Sequence, residues 1–447
     1  MSVVNRIRIL AITFILLMLN QVAVSAERAP RIQTWKTDNG AKVMYVYAPQ
    51  LPMVDVRIVF DAGSARDGRQ AGLALLTNNM LSKGAGKWNT NALAARFDSV
   101  GAEFSTFAMR DMAGLSLRSL NDQKLLNKAI VTLQAILTRP RFDNKELARI
   151  RRETLIALKA QLQSPEAIAD KMFYRALYGQ HPYASPPLGT KGSIKSISRK
   201  DVQAFYRRYY VAGNALIAIV GDVDLRRAKQ LANKLIGKLP KGEHAPALAP
   251  VRALKKAQVL KKTYPSTQTH ILVGQPGLRR GDPDYFALYV GNHILGGSGF
   301  GSRIMKEIRV KRGLAYSSYS YFIPMRGLGP FQMGLQTSND QRDEALALLD
   351  KTLRNFIKEG PTKEEMQQAI KNITGGFPLR IDSNKDIIGY IAMIGFYDLP
   401  LDYLETFNAN IEAVTAAKVQ DAFRRRIHPD RLVTVLVGGD APQKHGK

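Results

Sequence analysis

Val202-Gln203-Ala204-Phe205-Tyr206-Arg207-Arg208 precedes Leu216-Ile217-Ala218-Ile219-Val220-Gly221-Asp222. The same succession returns as Val419-Gln420-Asp421-Ala422-Phe423-Arg424-Arg425 and Val433-Thr434-Val435-Leu436-Val437-Gly438-Gly439. Val202 to Val419 and Gly221 to Gly438 are both separated by 217 positions (419 − 202 and 438 − 221). Each time a basic helix leads into an apolar, β-branched strand that ends at Gly. Two matches in one register point to an internal duplication. Between the copies, residues 239–250 carry Pro240, Pro246 and Pro250 and no apolar period, the pattern of an extended, exposed linker.

The other elements mix strands and helices. Lys42 to Ala48, Val54 to Ala62, Leu115 to Leu120, His270 to Val273 and Phe331 to Leu335 have strand character. Leu125 to Leu137, Ala148 to Gln163, Pro165 to Tyr178 and Asp343 to Lys358 have helical spacing. Strands followed by runs of helices favour an α+β class over a doubly wound parallel sheet. A chain of 447 residues is long enough for more than one domain of about 150. The organisation expected is residues 1–26 as a signal peptide, an α+β domain over 27–239, a Pro-rich linker over 240–252 and a second α+β domain over 253–447.

The leader reading rests on Arg6 and Arg8, the apolar run Ile9 to Leu19 and the small-residue site Val24-Ser25-Ala26. Cleavage after Ala26 and export, to a periplasm, are the expectation; retention as an anchor is the alternative. Lys and Arg total 65 against 37 Asp and Glu, a formal charge of +28, or +26 without the two leader arginines. Export argues against a nucleic-acid partner. The charge could steer an acidic chain or peptide, or hold the protein peripherally near anionic lipid heads. Cys is absent, which excludes disulfides, thiolate nucleophiles and Cys-ligated metals. No two of the six His lie at metal-ligand spacing, and His181, before Pro182, reads as a structural hydrogen bonder.

Gly72-Leu73-Ala74-Leu75-Leu76-Thr77-Asn78-Asn79-Met80-Leu81-Ser82-Lys83-Gly84 resembles the signature helix of the pitrilysin and mitochondrial processing peptidase family, inverzincins with H-x-x-E-H on that helix. Tyr178 to Tyr183, Leu188-Gly189-Thr190, Leu295 to Arg303 and Arg309 to Tyr316 are similar to further family stretches. The resemblance runs from about Thr34 to Gly438. It implies two homologous α+β domains arranged as a clamshell around a substrate chamber.

The family binds zinc through two His at i and i+4, with a Glu that activates the bound water. By the resemblance these places fall on Leu75, Asn79 and Asn78, and the third ligand falls near Leu158. Ala157 and Lys159 would be no better, and Glu153 lies over a turn away. An acidic partner in the family falls on Arg151. Leu offers no lone pair, and an Asn amide cannot take a proton from water. No metal is therefore expected in this chain. The family's C-terminal Arg and Tyr, seven residues apart, match Arg309 and Tyr316. There Arg would offer donors to a substrate carbonyl, and the Tyr hydroxyl would donate to a developing oxyanion. Packing of Tyr316 in a strand is the alternative. Gly296, Gly297, Gly299 and Gly301 resemble a loop that helps admit substrate.

Several family members are two-chain enzymes with one zinc-bearing and one degenerate subunit. The resemblance thus implies a non-catalytic subunit, inactive alone, that lends Arg309 and Tyr316 to a homologous zinc-bearing partner acting on peptides. A peptidase-like binding or structural protein with no part in proteolysis is the alternative.

Overall fold

The computed structural model describes residues 30–439; the expected leader lies outside them. The first half builds a sheet from β1 (Gln33–Lys36), β2 (Lys42–Tyr47), β3 (Met53–Phe60), β6 (Glu103–Ala108), β7 (Ala113–Leu120) and β8 (Ala215–Gly221). A small hairpin, β4 (Gly84–Ala85) with β5 (Trp88–Asn89), stands beside it. The second half builds a sheet from β9 (Gln258–Thr263), β10 (Gln268–Leu278), β11 (Ser318–Phe322), β12 (Gly329–Ser338) and β13 (Val433–Gly438).

The strand orders are β1-β2-β8-β3-β7-β6 and β9-β13-β10-β12-β11. With β1 set aside, the two sheets match strand for strand in order and direction. In each, the repeated strand (β8 or β13) runs parallel to one neighbour and antiparallel to the other. The duplication read from Val202 and Val419 is thus a duplication of topology. Every residue of β8 is buried, so it reads as an unbroken apolar run, as a strand covered on both faces must.

What covers those faces comes from both halves. The first sheet packs on one side against its own helices, among them Leu73–Leu81, Gln123–Thr138 and Arg199–Tyr209, in one apolar core. Its other side takes Asn384–Phe396, a helix of the second half, whose Ile387, Ile391 and Ile394 join Met44, Val59 and Leu216 in the second core. Conversely, Pro165–Tyr178 of the first half lies on β10 and β13, where Phe173 and Leu177 meet Leu272 and Val435. Gly395 permits the approach: a Cβ there would come within 2.6 Å of Met44 Cγ. Fully burying a side chain such as Phe173 contributes about 2 kcal/mol. Each half therefore lends one helix to close the other's sheet.

The joint is also polar. Buried Asp111 accepts from Tyr183 Oη (2.6 Å), from the Arg326 backbone N–H (2.7 Å) and from Tyr397 Oη (3.0 Å). The first donor belongs to the first half and the other two to the second. Burial, and then the nearby Asp111 charge, push both tyrosine pKa values well up, so the hydroxyls remain donors.

Residues 240–252 are free of helix and strand and are fastened down rather than loose. The Ala212 and Gly213 N–H groups donate to the Pro240 and Lys241 carbonyls, and Arg66 Nη1 donates to Pro246 O (2.7 Å). His181 bridges from Tyr183 N to the Ala249 carbonyl. No helix among the described residues is long and apolar enough to cross a membrane.

Candidate functional site

The helix Leu73–Leu81 begins at Gly72, whose φ is +91° and whose added Cβ would meet Ile194 Cδ1 at 2.7 Å. Glycine is therefore required there. The carboxylate of buried Asp67 accepts from Gly72 N and Ala74 N, both at 2.7 Å, and satisfies the open helix end. Burial outweighs these two bonds and pushes the Asp67 carboxyl up to about 7.

Leu75 and Asn79 stand one turn apart on this helix and line a hollow of about 390 Å³, with Lys83, Ile150, Glu153, Thr154 and Ala157. The spacing that would present two His to a metal is thus retained, with neither His present. Asn78 points elsewhere. It is fully buried, and its Nδ2 donates to Gly114 O (3.2 Å) and Tyr210 Oη (3.1 Å). It does not line the hollow; only Asn79 of the two does. The assignment of the third position to Leu158 is also corrected. Leu158 packs against the first core, and the helix Asn144–Gln161 turns Glu153, Thr154 and Ala157 to the hollow instead. Glu153 is held by Arg149 at 2.6 Å. Arg151 donates to the carbonyls of Ile194 and Ile197, so it closes the end of a short neighbouring helix. Among the described residues no group of three His, Cys, Asp or Glu could hold a metal ion. The donors at the hollow do not fit zinc.

Leu188 continues this hollow into a second one of about 320 Å³, lined by Glu166, Asp170, Tyr174, Tyr319 and Gln332. Glu166 and Asp170 lie one turn apart on Pro165–Tyr178 and face the same space. Burial raises the Asp170 carboxyl, Arg110 opposes it, and Glu166 adds to it. A third hollow continues past Tyr319 to Ser317, next to Tyr316. The three hollows share walls in turn, the first and second at Leu188 and the second and third at Glu166, Leu272 and Tyr319; neither Arg309 nor Tyr316 lines any of the three.

Arg309 and Tyr316 come together. The Arg309 guanidinium lies 4.4 Å from the Tyr316 ring centroid and 4.5 Å from that of Phe300. It is held between two exposed aromatic faces, Tyr316 being 82% exposed and Phe300 63%. The one carboxylate of that segment, Glu307, is taken by Lys311 and Arg312. Arg309 is left without an ion pair among the described residues. Tyr316 precedes the strand instead of starting it: β11 begins at Ser318. Arg309 sits in a π-helical turn, Lys306–Val310, and a second such turn covers His293–Gly297. Such turns recur at functional sites.

The four glycines divide. Gly296 is buried in the π turn, where a Cβ would meet Ser320 Oγ at 2.4 Å, so it serves packing and is not placed to touch a peptide. Gly297 is exposed but crowded by Asn292. Gly299, with φ +61°, and Gly301 form the exposed turn that carries Phe300. Phe300, Glu166 and Asp170 were not singled out by their sequence. The signals lay in an aromatic between two glycines and in an i, i+4 carboxylate pair just after Pro165.

Comparison with known proteins places this geometry. The family described as Insulinase (Peptidase family M16) matches residues 42–191, and the Peptidase M16 inactive domain matches residues 196–373. The crystal structure of a peptidase M16 inactive domain from Pseudomonas fluorescens is 39% identical, with a TM-score of 0.89 over 92% of this chain and 99% of that one. The non-peptidase homolog YmxG of Helicobacter pylori is 26% identical over 91% of this chain and 94% of its own. An uncharacterized zinc protease, YmxG of Bacillus subtilis, is 23% identical over 79% of this chain and 85% of its own. With two M16-type halves and leucine and asparagine where zinc would be held, the chain belongs to peptidase family M16, as a peptidase-like member akin to those described as inactive.

Proposed function

We propose that this chain is the non-catalytic subunit of a two-chain zinc peptidase. The observation that carries the reading is the asymmetry between its two faces. The hollow at Leu75 and Asn79 offers one carboxylate, Glu153, already held by Arg149, and no set of three ligands that could hold zinc among the described residues. Arg309, half-buried and without an ion pair among the described residues, is meanwhile held between the exposed rings of Phe300 and Tyr316. An unpaired guanidinium positioned by two rings suits the carbonyl or carboxylate of a peptide. The Tyr316 hydroxyl can donate to the oxyanion that forms when hydroxide attacks a peptide bond.

In this reading a homologous partner supplies zinc and its water-activating Glu. This chain supplies the Arg309–Tyr316 pair, the Gly299–Gly301 turn and one wall of the chamber. The basic surface favours encounter with an acidic partner or substrate and makes assembly salt-sensitive. Export through a leader cleaved after Ala26 would bring both subunits to the same periplasmic compartment.

The test is reconstitution. The purified chain should cleave no peptide, and mixing with a zinc-bearing homologue from the same cell should restore cleavage. Arg309→Ala in the mixture should lower kcat by about 10²-fold, the scale for loss of an oxyanion or carbonyl donor. A complex that forms and cleaves equally well with Arg309→Ala and Tyr316→Phe refutes the reading. It would favour a peptidase-like binding protein with no part in proteolysis, a role in keeping with the description of the Helicobacter pylori relative as a non-peptidase homolog.

A further inference from the structure

The seam between the halves holds another cavity, of about 380 Å³, within the usual range of small-molecule sites, about 300–1,000 Å³. Its walls are largely apolar, with Phe107 and Met112 from the first half and Met325 and Met393 from the second. Three arginines and one carboxylate line it: Arg57, Arg110, Arg280 and Asp111. The carboxylate is occupied by its three donors. Arg110 is occupied too, by the Tyr183 and Ser185 carbonyls and the Tyr174 ring at 3.6 Å.

Arg57 and Arg280 are not so provided. Arg57, half-buried on β3, has the Ser116 hydroxyl at 3.3 Å and the Phe107 face at 4.7 Å, with no ion pair among the described residues. Burial lowers its pKa, and nothing offsets it. The Arg280 guanidinium lies 5.5 Å from the Tyr397 ring, and its Nε is buried with no hydrogen-bond partner. A desolvated cation without a counter-ion is costly, and an anion brought to it recovers that cost. The apolar walls disfavour a small hydrated anion such as phosphate and favour one joined to an apolar body.

We propose that this interdomain cavity binds a carboxylate carried on an apolar body, with Arg57 and Arg280 on the carboxylate and the Met/Phe walls around the apolar part. A medium-chain fatty acid and the C-terminus of an apolar peptide share this chemistry. Because the walls come from both halves, the bound molecule would tie them together. Nothing in this inference depends on the peptidase reading.

The test uses the purified full chain, titrated calorimetrically with octanoate and with Phe-Leu-Leu as the free acid. Octanol and the Phe-Leu-Leu amide are the neutral counterparts. At least one acid should bind at a single site and raise Tm; which of the two does so identifies the source. Its neutral counterpart should bind about tenfold more weakly or worse, the scale of a lost charged hydrogen bond. Arg57→Gln and Arg280→Gln should each cause a similar loss. Gly389 lines the same cavity on a helix, and only Arg57 Nη1, at 3.8 Å, lies near an added Cβ. Gly389→Leu should therefore fold, improve helix propensity and abolish binding by filling the space. It decides the question even if an arginine variant fails to fold. No saturable binding of either acid, equal affinity for acid and neutral forms, or binding unchanged by Gly389→Leu would each overturn the proposal.

Discussion

Asp111→Ala should be the most damaging single truncation at the seam between the halves. The carboxylate is 4% exposed and accepts three hydrogen bonds, from Tyr183 Oη, Arg326 N and Tyr397 Oη. Bonds to a charged group contribute about 1.5–3 kcal/mol each when the partner cannot be replaced. The Tyr397 hydroxyl can recover part of this by turning toward water in the adjoining cavity, which it lines with Asp111, whereas the Tyr183 hydroxyl is fully buried and cannot. The Arg326 N–H cannot turn. The loss should be about 4 kcal/mol, in the range of about 3–5 kcal/mol for breaking a buried charged pair. Tyr397→Phe removes one donor and should cost about 1–2 kcal/mol. Urea unfolding would measure both, followed by circular dichroism for the whole chain and by fluorescence for the first half, which holds both tryptophans, Trp35 and Trp88. If Asp111→Ala unfolds within about 1 kcal/mol of the parent, the three bonds do not fasten the halves and the reasoning fails.

Gly72→Ala should cost about 1–3 kcal/mol, from its left-handed φ and the contact with Ile194, and hydrogen exchange should show the Leu73–Leu81 helix opening more readily. Arg425 and then Arg426 hold the Asp284 carboxyl down at about 2. A depressed carboxylate pKa adds stability above about pH 4 that disappears as pH falls toward 2; Asp284→Asn should flatten that part of an acid-unfolding curve. Arg309→Ala and Tyr316→Phe should change stability by less than about 1 kcal/mol, because the cation–π contact is exposed. A drop in Tm much beyond that would show a packing role instead. Treatment with a strong chelator should leave the Tm of the isolated chain unchanged; a marked fall would reveal a structural metal.

The duplication was legible because it rests on local pattern: a basic helix, a β-branched strand and a glycine recur in one register. The Leu73–Leu81 helix and the interest of Arg309 and Tyr316 were legible only through the family resemblance; that the two side chains meet is seen in the fold. The third metal position was misassigned to Leu158, because counting along a helix cannot tell which side faces a neighbour. The residues that face the hollow are the buried Thr154 and the exposed Glu153 and Ala157. Asn78 adjoins Asn79 in the sequence, yet the 100° step of a helix turns it into the core against Tyr210. Asp111 gave no signal, since its partners lie 72, 215 and 286 residues away.

The exchanged helices bear on what a fragment of this protein could be. Severed near residue 240, the amino-terminal piece would keep Phe173 and Leu177 with nothing to set them against, and would leave the back of β8 bare where Ile391 belongs. The carboxy-terminal piece would suffer the mirror-image defect. Expressed apart, each should be sticky and short-lived; expressed together, they should find one another and reassemble. The repeat that advertises two units in the alphabet of residues therefore encodes a single unit of folding.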